Sequence, residues 1–265
     1  MRGKSVAELD HVVINTLTEM DAAADLFAAL GFLLTPRGHH SLGSINHLMM
    51  TEGAYLELVG VPETGLQRQE VLDSPTGLNG LVLKTGDADA TAAALATAGF
   101  APQGPVAFSR PVALDGRQEE ARFRTVRLPP GTFPGGRVYF CQHLTPDLVW
   151  RPEWLLHPNG FCGIDLFRIE SPEPEAQAAL FARAFGAPAE RNGADWRVPL
   201  TAAEIHVAPG SAARFATARL LFSDLDEIAR RAGAHAEATW DQQGPAEGRL
   251  SIPRLNVNLI CRSRR

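Results

Sequence analysis

A chain of 265 residues, 45% hydrophobic and 21% charged, has room for two domains of ordinary size and carries a formal net charge of −5. That balance offers no basic surface to nucleic acid or to an anionic membrane, so neither is an expected partner. Three cysteines, Cys141, Cys162 and Cys261, lie in apolar runs without a Cys-x-x-Cys spacing, which argues against a disulfide framework or a thiolate zinc site and suits a reducing cytosol.

The stretch Met1–Glu8 has no apolar h-region, and no later run approaches the length of a membrane span. The expectation is a soluble, cytoplasmic protein. Leu9–Asn15 then reads as a strand, and Glu19–Leu30 sets Met20, Ala23, Ala24, Phe27 and Leu30 at helical spacing before Gly31, where a helix-ending glycine belongs. Phe32–Leu34 restarts as a strand, a polar loop runs to Gly43, and Ile45–Met50 and Ala54–Val59 form a hairpin around Thr51-Glu52-Gly53. This unit is βαβββ.

The same order returns from Asn79. Gly80–Thr85 is a strand, Asp87 caps the alanine-rich helix Ala90–Ala98, Gly99-Phe100 repeats Gly31-Phe32, and the strands Glu120–Leu128 and Arg137–His143 flank proline-glycine turns. Leu144–Gly160, rich in proline and turn residues, reads as a connector. A third unit has the strand Gly163–Ile169, the helix Pro174–Phe185 and a last strand at Glu204–Ala208; a fourth has Ala218–Phe222, Leu225–Ala232 and Leu255–Cys261. The expected organisation is a first domain over 5–150, with modules 9–60 and 79–143, and a diverged second domain over 151–265, with modules 163–208 and 218–261.

Two strands carry chemistry where a plain core strand would hold only Val, Ile or Leu: Leu9-Asp10-His11-Val12-Val13-Ile14 and Ala54-Tyr55-Leu56-Glu57-Leu58-Val59. An imidazole and a carboxylate suit zinc, manganese, iron or nickel. Without a metal, a His11–Glu57 pair could serve as a general base or simply satisfy itself as a buried hydrogen-bonded pair. A three-residue loop at Thr51–Gly53 would face His47 to Glu57 and supply a third nitrogen, whereas a two-residue turn would pair Glu57 with Leu48 and turn His47 to the opposite face. Arg110, Arg122 and Arg124 sit in or beside the strands of the second module, and along Glu120–Leu128 alternation sets Arg122, Arg124 and Val126 against Phe123, Thr125 and Arg127. If the first set looks into a cavity, Arg122 or Arg124 could clamp a substrate carboxylate; otherwise they blunt a solvated strand edge. His39 and His40 read as solvent-exposed, His143 and Trp150 as a cavity rim, and Trp150 and Trp154 as packing across the two halves. No Gly-x-Gly-x-x-Gly after a strand, Walker A motif or Gly-x-Ser-x-Gly elbow occurs, which argues against nucleotide-dependent and α/β-hydrolase chemistry.

Together, Leu9–Ile14, Ala29–Phe32, Gly43–Leu48, Tyr55–Leu58, Gln142–Pro146 with Trp150, and His157–Gly160 resemble the glyoxalase-like branch of the vicinal oxygen chelate superfamily, over residues 9 to about 170. The resemblance implies an α+β fold: paired βαβββ modules, four repeats in all, forming two curled mixed β-sheet half-barrels with helices outside. It implies one divalent ion held by His11 and Glu57 and by equivalents in the second module, near Leu81 or Leu83 on the first strand and Gln142 on the last. The third and fourth modules offer Ile164 or Asp165, Glu204 or His206, Asn256 and Asn258, none in a matching setting, so the second half reads as structural or as a lid. The implied function is binding of a small oxygenated organic molecule in the first domain's cavity. A metal-dependent lyase, isomerase or dioxygenase would use His11 and Glu57 for the chemistry and His47, Arg122, Arg124, Gln142 and His143 to hold substrate. The alternative is a sequestering protein without turnover. A homodimer is compatible with the sequence but not required by it.

Overall fold

A computed structural model of the protein describes residues 7–114 and 116–264. Residues 1–6, which include the start of the expected first domain and most of the stretch without an h-region, lie outside the described residues, as do 115 and 265. The first half comprises β1 (Glu8–Leu17), α1 (Met20–Ala29), β2 (Gly38–His39), β3 (Ile45–Met49), β4 (Tyr55–Gly60), α2 (Gln69–Leu72), β5 (Gly77–Lys84), α3 (Ala88–Thr97), β6 (Gln103–Leu114), β7 (Arg117–Arg127) and β8 (Arg137–His143). The second half repeats the order: β9 (Phe161–Ser171), α4 (Pro174–Phe185), β10 (Glu190–Asn192), β11 (Asp195–Leu200), β12 (Ala203–Pro209), β13 (Arg214–Phe222), α5 (Leu225–Gly233), β14 (Thr239–Gly244), β15 (Glu247–Ile252) and β16 (Val257–Ser263). Each half folds into one curled eight-stranded sheet, ordered β2-β3-β4-β1-β5-β8-β7-β6 and β10-β11-β12-β9-β13-β16-β15-β14. Four βαβββ modules are therefore joined in pairs through their first strands. Among the described residues, no helix is long and apolar enough to cross a membrane.

Local chemistry explains the elements. Met20, Ala23, Leu26 and Phe27 form the buried stripe of α1. The Asp87 carboxylate accepts from the Ala90 N–H at 3.0 Å and starts α3. Gly31 leaves α1 at φ +82°, and a side chain there would strike Arg231 of α5. Phe32–Leu34 is not a strand: the Leu33 N–H donates instead to His157 Nδ1 at 2.9 Å, which ties the helix exit to the connector. The twelve-residue β6, absent from the sequence expectation, carries Pro105 and Pro111 and is tolerated because it is an edge strand.

One large apolar core lies between the sheets, containing the helices and the convex faces of both halves. Phe32 meets Phe161 at 5.4 Å, and Phe133 and Phe140 meet Phe181 and Phe185 of α4 at 4.6 and 6.2 Å. Each such ring contributes on the order of 1.5–3 kcal/mol by burial. A second, smaller core lies on the concave face of the first sheet, where Val13, Tyr55, Val82, Phe123 and Cys141 are covered by Trp150, Trp154 and Leu155 of the connector. The tryptophans therefore roof the first sheet and do not pack across the halves.

Candidate functional site

The site begins with a β-bulge. Opposite β5, Leu9 pairs with Leu83 and His11 with Val82, so Asp10 is the extra residue, and its side chain joins that of His11 on the concave face. His11 Nδ1 donates to Asp10 Oδ1 at 2.5 Å, and His11 Nε2 lies 3.3 Å from Glu57 Oε2. Asn46 donates to the other Glu57 oxygen at 2.6 Å, and His143 Nε2 donates to Asp10 at 3.1 Å. The His11 ring stacks on Tyr55 with centroids 4.6 Å apart, which fixes its plane. All of these side chains but His143 are buried as whole residues, and the His143 side chain is only 5% exposed.

Burial by itself would lower the basicity of His11, but the hydrogen bonds and charges of Asp10 and Glu57 outweigh it and hold the imidazole up at about 9. Burial works to raise Glu57, yet His11, His40 and Asn46 bring it down to about 2, and Asp10 is held below the usual carboxylate range by His143 and His11. The array is an ionised carboxylate–imidazolium–carboxylate chain across the floor of a cavity.

The cavity wall differs from the sequence expectation at several positions. Across the β3–β4 hairpin, Leu48 pairs with Glu57 and His47 with Leu58, so the turn is the two-residue Glu52-Gly53 and His47 lies on the convex side, bonded to the Thr35 carbonyl at 2.8 Å. Gln142 also faces away: its amide donates to the Gly86 carbonyl and accepts from the Ala88 N–H, capping α3. Arg124 pairs with Gln142 in register and makes a two-pronged ion pair with Asp89, and Arg122 is an exposed residue on that same face. The opposite set, Phe123, Thr125 and Arg127, looks inward. His40 lines the cavity instead of standing in solvent, edge-on to Phe108 and lowered by burial to about 4. His143 sits under the Trp150 ring at 4.7 Å.

Four arginines complete the wall: Arg110 on β6, which the sequence placed beside the second module's strands, and Arg68 beside α2, Arg127 on β7 and Arg137 on β8, which it did not single out. Arg110 is 3% exposed, and its Nη2 has no hydrogen-bond partner among the described residues; the same holds for Nη2 of Arg127 and of Arg137. Arg110 approaches the backbone at Gly38, where a β-carbon would lie 2.9 Å from its Cδ. A sequence signal existed in the alternation that set Arg127 opposite Arg122, but which face is concave depends on long-range pairing.

Strand pairing also locates the second module's half-site. His11 pairs with Tyr55 two residues before Glu57; Val82 pairs with Tyr139 two residues before Cys141. The equivalents of His11 and Glu57 are thus Val82 and Cys141, one residue away from Leu81, Leu83 and Gln142. Val82 offers no donor atom. Cys141 offers a thiol whose pKa burial pushes well above its ordinary value. Once the Nε2 proton is displaced, His11 Nε2 and Glu57 Oε2 fit a divalent ion, because their 3.3 Å separation is that of two neighbouring ligands each about 2.1 Å from one centre. Asp10 behind Nδ1 is the outer partner that orients a metal-binding imidazole. Oxygens of water or ligand would have to complete such a centre. Asp10, Cys141 and His143 form a neighbouring cluster whose ligand-capable atoms lie within 4.8 Å of one another.

This architecture has known counterparts. The family model described as a glyoxalase-like domain matches residues 9–185. The chain belongs to that family, in the vicinal oxygen chelate superfamily. Among solved structures it is similar to a hypothetical protein from Staphylococcus aureus at 14% identity, covering 98% of this chain and 100% of that one with a TM-score of 0.71. The Mn(II)-bound glyoxalase from Novosphingobium aromaticivorans matches at 13% identity, 98% and 82% coverage and a TM-score of 0.62. A variant of 4-hydroxymandelate synthase from Streptomyces coelicolor matches at 13% identity, 98% and 93% coverage and a TM-score of 0.58. At these identities the likeness is one of fold. A search of curated proteins finds no match.

Proposed function

We propose that the concave face of the first sheet binds a small oxygenated organic molecule and acts on it as a lyase or isomerase, with His11 and Glu57 as the reacting pair. The observation that carries this reading is the convergence of His11 Nε2 and Glu57 Oε2 at 3.3 Å in a roofed cavity, with Asp10 locked behind the ring. His11 and Glu57 would hold a divalent ion of the zinc, manganese, iron or nickel type, which when bound polarises vicinal oxygens of the ligand. Asp10 orients the imidazole through Nδ1, Asn46 holds one Glu57 oxygen so that the other faces the cavity, and the connector excludes water. Glu57 Oε2, once released from His11, is the carboxylate oxygen that would exchange a proton with a carbon beside a carbonyl, as isomerase and lyase steps require. One observation favours a second reading, a binder without turnover: Val82 stands where the second module would supply a ligand.

Metal content of purified protein, with and without Glu57→Ala, tests the proposal. Stoichiometric divalent metal that disappears in the variant is the expected result. Metal-free protein whose ligand binding is unaffected by Glu57→Ala would replace the enzyme reading with the binder.

A further inference from the structure

Beyond the His11–Glu57 floor, the opposite wall of the same cavity has a composition that neither acid–base nor metal chemistry explains. Four guanidiniums, those of Arg68, Arg110, Arg127 and Arg137, line it. Glu70 is shared among three of them: it pairs with Arg68 and stands 3.6 Å from Arg127 and 3.9 Å from Arg137. Glu57 is already engaged by His11 and Asn46, and Asp10 and His11 balance each other. Four cations against Glu57 and Glu70 leave the cavity with two positive charges in excess.

The hydrogen-bond inventory agrees. Arg110, buried on an edge strand, forms no ion pair with any described residue, and its Nη2 is without a partner, as are Nη2 of Arg127 and of Arg137. A buried, unpaired guanidinium nitrogen is costly, and three of them lining one cavity are not explained by packing. Their planar donor forks match the lone pairs of a carboxylate or phosphate. The packing keeps the cation at Arg110 in place: a side chain at Gly38 would collide with its Cδ, and the carboxylate it feels, Glu57 on the cavity floor, is not within ion-pair distance and is engaged elsewhere.

We infer that the cavity takes an organic oxyanion, whose carboxylate or phosphate group seats on Arg110, Arg127 and Arg137 while its oxygenated remainder reaches toward His11 and Glu57. The inference rests on the reading of this face as a small-molecule site and adds the charge class of the ligand. A neutral or cationic ligand would leave Arg110 without an ion-pair partner and the Nη2 groups of Arg127 and Arg137 unmet, so discrimination arises from the charged wall itself.

Isothermal titration with a panel of two- to six-carbon mono- and dicarboxylates, their amides and inorganic phosphate tests it. At least one of the anions binds wild-type protein, the amides do not, and Arg110→Gln weakens anion binding by at least about tenfold. Arg110→Lys, which keeps the charge but not the fork, falls between the two. Arg124→Gln, on the convex face, leaves binding unchanged, and near-ultraviolet circular dichroism identifies any variant that has lost its fold. Should Arg110→Gln not fold, Arg110→Lys against wild type and the acid-to-amide comparison carry the test. Binding confined to carboxylates assigns a carboxylate ligand; binding of phosphate with the same Arg110 dependence assigns a phosphate. Acids and amides binding equally, anion binding indifferent to Arg110, or no anion binding to the wild-type chain would each overturn the inference. Glu57→Ala separates it from the parent reading: anion binding retained in that variant alongside unchanged metal content leaves the charged wall standing and removes the catalytic pair.

Discussion

The two sheets share one backbone plan and differ in what it presents. In the first, Asp10 is the bulged residue of β1; in the second, Asp165 is bulged in β9, between Ile164 paired with Leu220 and Leu166 paired with Arg219. Counting from the bulge and along the parallel pairs, Leu166 replaces His11, His206 replaces Glu57, Arg219 replaces Val82 and Arg262 replaces Cys141. The second sheet thus keeps the aspartate and loses its histidine partner. Arg219 takes the carboxylate in a two-pronged pair at 2.7 and 3.0 Å, His206 rests on Glu204 at 2.8 Å, and Arg168 pairs with Asp195. Asp165 is 28% exposed, whereas Asp10 is fully buried. A bulge that aims a carboxylate inward does not by itself bring ionised groups together under cover. The histidine beside it and the connector that roofs it make the difference, because only under cover are the ionised groups held out of water and close together.

That contrast can be broken by exchanging residues. His11→Leu gives the first sheet the residue of the second and leaves Asp10 and Glu57 buried without their shared cation. The expected loss is about 3–5 kcal/mol in denaturant unfolding, as for other broken buried pairs. The matching change in the second sheet, Arg219→Leu, costs only about 1 kcal/mol, since water reaches Asp165. Equal losses would mean that enclosure does not distinguish the two faces.

The roof supplies the next test, through pH. Neutral His157 accepts from the Leu33 N–H and donates to the Met50 carbonyl at 2.7 Å, and burial lowers its pKa below the ordinary histidine value of about 6.5. The unfolded chain therefore binds the proton more readily. The stability His157 contributes is fully present above about 6.5 and is lost as pH falls through the lower value of the folded state. His157→Gln flattens that acid limb and costs on the order of 1–3 kcal/mol at neutral pH. A wild-type acid limb unchanged by the substitution would show that the connector is not anchored there.

Smaller effects sharpen the comparison. Trp150→Ala removes the ring that covers Tyr55 and His143. It is expected to weaken small-molecule binding roughly two- to tenfold in titration while the fold survives. Arg124→Ala, on the face away from the cavity, leaves both binding and unfolding midpoint unchanged; a loss of binding would restore the clamp that alternation alone allowed.

The sequence made the repeat order legible because helical spacing, the Asp87 cap and the glycines after α1 and α3 are local signals. His11 and Glu57 were legible because charge-capable residues interrupt apolar strands. What escaped depends on pairing across the sheet. The Asp10 bulge shifts β1 by one residue and leaves no compositional trace, so the second module's half-site was expected at Leu81, Leu83 and Gln142 instead of Val82 and Cys141. The same one-residue ambiguity left His47 open and hid the inward face of β7. Pro105 and Pro111 concealed β6 and with it the position of Arg110. The connector read as a linker because proline-rich segments carry no periodicity, whereas its tryptophans and His157 make it the cover of the site.

The central claim is that one site exists, on the first sheet, with His11 and Glu57 at its centre. Anomalous diffraction from crystals soaked in Mn(II) tests it most directly. The account predicts a peak within bonding distance of His11 Nε2 and Glu57 Oε2 and none on the second sheet near Asp165 and His206. A peak only at the Asp10, Cys141 and His143 cluster, or one on the second sheet, would contradict it.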